Sequence, residues 1–344
     1  MKKASILSAS IFAAILLLLT TASSGISASP SARGYHQMAY DSESGLVILY
    51  GGQTGNFFQD SDQLSHETWL YKPEANKWKQ VLPEGTPDGS SGGDMTYNSR
   101  ADRTILSVIT DDWSILQTWA YDVKTNTWVQ LQDGPYPMVG QRIVYDAESD
   151  RIIMFGGFEL AKYKFVDETW VYDFNEDEWI NMNPRIHPEP RNYHDMAYDS
   201  KADRVVLWGG DLNGSANKNA VWTYDYNTNT WEELNSKYAN SPGLRDYMNL
   251  EYDEMADKFI MYGGYSYGNN ETWSYDLNTN TWQLMQPVNN PGVISRYTMV
   301  YVKDTNETIL FGGQDGATHY QYVGDTWSYK LKFDKWTSVS SGPD

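Results

Sequence analysis

Tryptophan recurs in this chain in pairs nine residues apart: Trp69/Trp78, Trp119/Trp128, Trp170/Trp179, Trp222/Trp231, Trp273/Trp282 and Trp327/Trp336. The first members follow one another every 50–54 residues. A fixed period of that length marks a propeller, solenoid or array, in which one supersecondary unit is stacked repeatedly because it cannot bury its own apolar surface. Trp, Tyr and Phe make up 15% of the sequence, far above what a solvated disordered chain carries. These side chains need a core.

Four short segments in each unit carry strand chemistry. The first ends near a tyrosine, as in HQMAYD (36–41), HDMAYD (194–199) and MNLEYD (248–253). After a tight acidic turn, the second is a β-branched or apolar run into paired glycines, as in LVILYGG (46–52), RIIMFGG (151–157) and RVVLWGG (204–210). The third, ETWLY (67–71) or ETWSY (271–275), alternates so that Trp and Tyr share one face. The fourth begins at the second Trp, after a turn spelled YDVKTNTW (121–128), YDYNTNTW (224–231) and YDLNTNTW (275–282). Asn and Asp suit such a turn because they tolerate left-handed backbone and bond to it locally. Four short antiparallel strands repeated six times, apolar on both faces, are expected to stack radially. The fold class is therefore all-β, a six-bladed β-propeller of four-stranded antiparallel blades, over residues 30–344.

Paired Gly, then a Tyr several residues before a Trp, at a spacing near 50, resembles the Kelch repeat. The resemblance covers about residues 30–340 and holds in six registers. Blade 2 departs from it, since Val108 and Ile109 stand where the glycine pair belongs. After the first 28 residues the chain begins with a first strand and stops just after a fourth. Blade 1 is thus expected to use N-terminal residues alone and to meet blade 6 by packing.

Residues 1–28 read differently. Lys2 and Lys3 precede the mostly apolar run Ile6 to Leu19 and a small-residue stretch, the order of a secretory signal peptide; an uncleaved membrane anchor is the other reading. Export to the cell surface or medium is the expectation. The chain contains no Cys, so neither a disulfide nor a lipid-anchor thiol contributes. Its formal charge is −19, or −21 without Lys2 and Lys3, which opposes nucleic acid and anionic lipid as partners. A membrane enters only if the N-terminal segment stays in place.

In an antiparallel meander the short first-to-second and third-to-fourth turns share one face. The longer, unequal loops share the other, where binding residues usually sit. Phe57 and Phe58, Trp113, Tyr163, Tyr265 and Tyr267, and Tyr320 fall in those loops. Arg33, Arg191 and Arg245 share one register, with Arg296 and Arg142 close to it. Near the inner strand they would point to a central funnel, where guanidinium groups could hold a carboxylate or acidic peptide; tying adjacent loops together is the structural alternative. The five His residues show no metal-ligand spacing, so neither metal nor cofactor is expected. The expected function is an exported binding module for a protein or glycan. The resemblance leaves open a carbohydrate enzyme of the sialic-acid mutarotase kind, and an architectural spacer remains a third reading. The resemblance also extends to copper-radical oxidases, which require a Cys crosslinked to a Tyr, and that reading closes because the chain contains no Cys.

Overall fold

The computed structural model describes residues 29–55, 63–212, 220–234, 241–243, 245–265, 269–317 and 321–339. The candidates Phe57, Phe58, Tyr267 and Tyr320, and the whole of residues 1–28, lie outside them. No helix among the described residues is long and apolar enough to cross a membrane.

Six four-stranded antiparallel sheets follow one another along the chain. Blade 1 runs through Gln37–Asp41, Leu46–Tyr50, Thr68–Lys72 and Lys77–Val81, and blade 6 through Thr298–Val302, Glu307–Phe311, Thr326–Lys330 and Lys335–Ser338. Each first strand lies beside the first strands of its two neighbours, and that of blade 6 lies beside that of blade 1. The ring closes without exchanging a strand. The seam is packed like the other joints: Met38, Leu49, Trp69 and Trp78 of blade 1 form one core cluster with Val300, Ile309 and Phe311 of blade 6.

The repeated octapeptide has a hydrogen-bonded explanation. In all six blades the third-strand Tyr donates its hydroxyl to an Asn or Asp five residues on, from Tyr71→Asn76 at 3.1 Å to Tyr172→Asp177 at 2.5 Å. That acceptor is the left-handed residue of the turn, for example Asn126 at φ 54° and Asn280 at φ 50°. In blades 2 to 5 the Asp after the Tyr accepts turn N–H groups, as Asp122 does from Lys124 at 2.8 Å; blades 1 and 6 carry Lys72 and Lys330 there. The chain thus reverses just before the Trp, whose indole crosses to the preceding blade. Trp78, Trp128, Trp179, Trp231 and Trp336 donate to Thr326, Thr68, Thr118, Thr169 and Thr272 at 3.0, 3.1, 3.1, 2.9 and 2.8 Å. Of the twelve paired Trp residues nine are buried, and Trp170, Trp179 and Trp327 are half-buried.

Blade 2 shows what the glycine pairs do. Elsewhere the pair takes positive φ, as Gly209 at 77° and Gly210 at 95°, and ends the second strand. With Val108 and Ile109 in place of Gly, the hairpin runs on: Arg103–Ile109 and Leu116–Asp122 are seven residues each, against five in the other blades. Close backbone approach moves to the entry of the first strand. A Cβ on Gly89 or Gly93 would lie 2.1 Å from the carbonyl oxygen of Ile109 or Ser107.

Candidate binding face

Two residues before each inner strand, every blade places one residue in the left-handed region: Tyr35 (φ 58°), Gly92 (74°), Gly140 (71°), Tyr193 (50°), Tyr247 (51°) and Arg296 (59°). Such backbone is uncommon for bulky side chains. It is held by a circle of backbone hydrogen bonds. Gly140 donates to Gly92 at 3.2 Å, Tyr193 to Gly140 at 2.8 Å, Tyr247 to Tyr193 at 3.1 Å, Arg296 to Tyr247 at 3.2 Å and Tyr35 to Arg296 at 3.0 Å. At the remaining joint the Tyr35 carbonyl accepts from the Gln37 side chain at 2.7 Å instead. The mouth of the central channel on the long-loop side is therefore a drawn ring of left-handed residues.

Arg296 is the cation of this mouth. Its guanidinium carbon lies 4.4 Å from the ring centre of Tyr247, 5.3 Å from Tyr265 and 5.4 Å from Tyr35. Tyr193 stacks on Tyr247 with centroids 4.0 Å apart. The Nε donates to the Tyr35 hydroxyl, and Nη1 to the Gln314 side chain and to Ser295 Oγ. Among the described residues no carboxylate pairs with it and Nη2 has no protein acceptor. In so acidic a chain this is unusual. Each cation–π contact contributes about 0.5–2 kcal/mol, enough to hold the fork in place while leaving its charge uncompensated.

The other three arginines are placed differently. Arg33, Arg191 and Arg245 are buried, and each donates Nη1 to the first glycine of its own blade's pair, at Gly51, Gly209 and Gly263, over 2.9, 3.1 and 3.0 Å. Glu67, Glu189 and Glu271 take their Nη2 groups at 2.6, 3.0 and 2.9 Å. The incoming segment runs beside the chain leaving the glycine pair, as in Gly34↔Gln53, so this register leads into the blade and not to the funnel. Arg296 belongs two residues later, in the register of Tyr35, Tyr193 and Tyr247; Ile294 stands in the arginine register of blade 6. Those three tyrosines escaped sequence analysis, although RGYHQ, RNYHD and RDYMN display them in one column.

Trp113 is 51% exposed at φ 64°, on a turn stapled by Thr110 N–H to Ile115 O at 2.9 Å and Trp113 N–H to Thr110 O at 2.8 Å. Tyr163, 84% exposed, sits at the tip between Phe158–Glu159 and Lys164–Phe165. Tyr265 is the only other described loop candidate, and it alone among the described aromatic candidates joins Arg296. His36 and His194 are fully enclosed against Phe311 and Phe155. Burial, followed by Arg33, holds the His36 imidazole down to about 3, and His194 shifts the same way beside Arg191.

Below the mouth a polar network closes the channel. Arg142 forms an ion pair with Asp195, Nε to Oδ1 3.1 Å, Asp195 accepts from Leu250 N–H at 2.5 Å and Asn249 Nδ2 at 3.0 Å, and Asp94 accepts from Ile143 N–H at 2.8 Å. Neighbouring inner strands splay too far apart to form a ladder, so side chains from one blade cap N–H groups of the next.

Residues 110–250 and 201–343 each match the KLHDC2/KLHL20/DRC7 Kelch-repeats domain family. The chain belongs to this Kelch-repeat family. Among curated proteins it is similar to Mei4-dependent protein 6 of Schizosaccharomyces pombe, 24% identical over 56% of this chain and 30% of the yeast protein. It is also similar to Kelch domain-containing protein 1 of Mus musculus, 23% identical over 78% of this chain and 72% of the mouse protein. Kelch domain-containing protein 10 of Xenopus tropicalis is 23% identical over 74% of this chain and 65% of the frog protein. The match thus spans under a third of the yeast protein. Kelch domains of this family serve as protein-interaction modules.

Proposed function

We propose that this Kelch propeller is an exported protein-recognition module that grips an acidic segment of its partner at the long-loop mouth. The carrying observation is Arg296, a guanidinium clamped among Tyr35, Tyr247 and Tyr265 with no carboxylate paired to it among the described residues. A fixed fork with a free Nη2 offers charge-assisted bonds to a carboxylate, and the tyrosine rings offer contact area at low entropic cost. Trp113 and Tyr163, on separate loops, would widen the footprint as aromatic anchors. The same exposed rings favour a glycan as the second reading, because sugar faces stack on aromatic planes. The Lys2–Leu19 pattern supports export.

The test is a combined peptide and glycan array probed with the wild-type chain and with Arg296→Met. The protein reading expects hits rich in Asp and Glu that are lost in Arg296→Met. Hits confined to sugars, or acidic hits retained by the variant, overturn it. Export is checked by mass spectrometry of the chain's N-terminus after fractionation of its native host; an intact Met1 in the cytosolic fraction overturns that part.

A further inference from the structure

On the far side of the polar network a second cavity, of about 300 Å³, opens toward the short-turn face. It is separate from the Arg296 mouth. Its collar is the third residue of each inner strand: Ala39, Thr96, Val144, Ala197, Glu251 and Val300. The strand-one tyrosines of all six blades surround the opening, and Met38, Met95, Met196 and Met299 line it beside them. Glu251 is the one charged side chain in that collar; Asp94, Asp195, Glu254 and Lys303 also line the cavity. Its Oε2 accepts from Tyr301 N–H at 3.0 Å, and among the described residues no Lys, Arg or His pairs with it. The nearby Arg142 is engaged by Asp195.

The geometry points to a binding site for a compact organic ammonium ion, with Glu251 as its counter-ion. Aromatic and thioether walls suit a cation carrying hydrocarbon, attracted by ring faces. A hard metal ion would need six or more oxygen ligands, and the collar offers few. The formal charge of −19 raises the local concentration of cations at such a mouth. Burial, and then Asp195, push the Glu251 carboxyl well above the usual range. A bound ammonium would ionise it, so uptake of the cation should release a proton.

The test is calorimetric titration of the full chain with n-butylammonium near about pH 6, in two buffers of different ionisation enthalpy, with potassium chloride as the comparison. Saturable binding with about one proton released, weakened at least about tenfold in Glu251→Gln and unchanged in the outer-strand control Glu232→Gln, is the expected result. No saturable heat, affinity equal in Glu251→Gln, or potassium binding as tightly as the amine overturns the proposal. If Glu251→Gln fails to fold, proton release by the wild-type chain decides, since absence of release excludes Glu251 as the counter-ion.

Discussion

Replacing Val221 by Thr should stabilise the propeller. Five of the six second-position indoles donate to a threonine of the preceding blade. The sixth, Trp282, is buried with an unpartnered Nε1, and the residue at the threonine position is Val221. Valine and threonine have nearly the same shape, so the γ-oxygen would fall where a γ-methyl packs now. The gain combines a net hydrogen bond of about 1 kcal/mol with relief of a buried orphan donor, for about 1–2 kcal/mol in total. In a domain this large that corresponds to a rise of about 1.5–3 °C in Tm. The mirror change Thr272→Val, which orphans Trp336, should cost about 1–3 kcal/mol. Urea unfolding followed by Trp fluorescence measures both, and the indole N–H resonance of Trp282 should shift on bond formation. If Val221→Thr destabilises by 1 kcal/mol or more, the hydroxyl is buried without reaching the indole, and the equivalence of the six joints is refuted.

Three further outcomes follow from other parts of the ring. Arg245→Met should destabilise by about 2–4 kcal/mol, because it leaves the Gly263 carbonyl and Glu271 without their donor; a neutral change in urea unfolding would return this residue to the surface. His36 is held neutral to about 3 in the fold and titrates near 6.5 when unfolded, so its stabilising effect is complete above that pH and is lost as pH falls. His36→Met, with the residue that blade 5 carries as Met248, should therefore gain on wild type progressively as the pH is lowered from about 7 to 4, and a pH-independent difference contradicts it. Asp94 has the opposite sign. Burial raises its carboxyl to about 7, its contribution is present in acid and lost as pH rises from the unfolded value through the raised one, and Asp94→Asn should gain on wild type between about pH 4 and 7; a gain toward acid would show the carboxyl ionised in the fold.

The periodic features were the legible ones. Each Trp pair reports a third and a fourth strand, and each Asn/Asp turn repeats one local hydrogen-bond pattern, so spacing alone led to the blades. Single-residue backbone handedness leaves no comparable trace. Nothing in RGYHQ announces that Tyr35 turns left, and that turn is what sends Arg33 into its blade while placing Tyr35 at the mouth. Arg296 was singled out by its charge, but its true register, shared with tyrosines, emerges only when the kink is seen. The extension of blade 2 is half visible: the missing glycine pair stands in the sequence, but the longer hairpin that its loss permits does not. Ala220 and Val221 carry a similar lesson. Their replacement of the acidic residue and threonine that precede most first-position tryptophans orphans Trp222 as well as Trp282, a gap that matters only once the acceptors are known.

The most direct measurement of the binding account is the affinity of an array-selected acidic peptide for wild type, Arg296→Met and Trp113→Ala, each checked for unchanged Tm. The account predicts a loss of at least about tenfold in Arg296→Met and a smaller one in Trp113→Ala. Equal affinity for wild type and Arg296→Met, with binding abolished in Trp113→Ala, would place recognition on the outer loops and contradict an axial site.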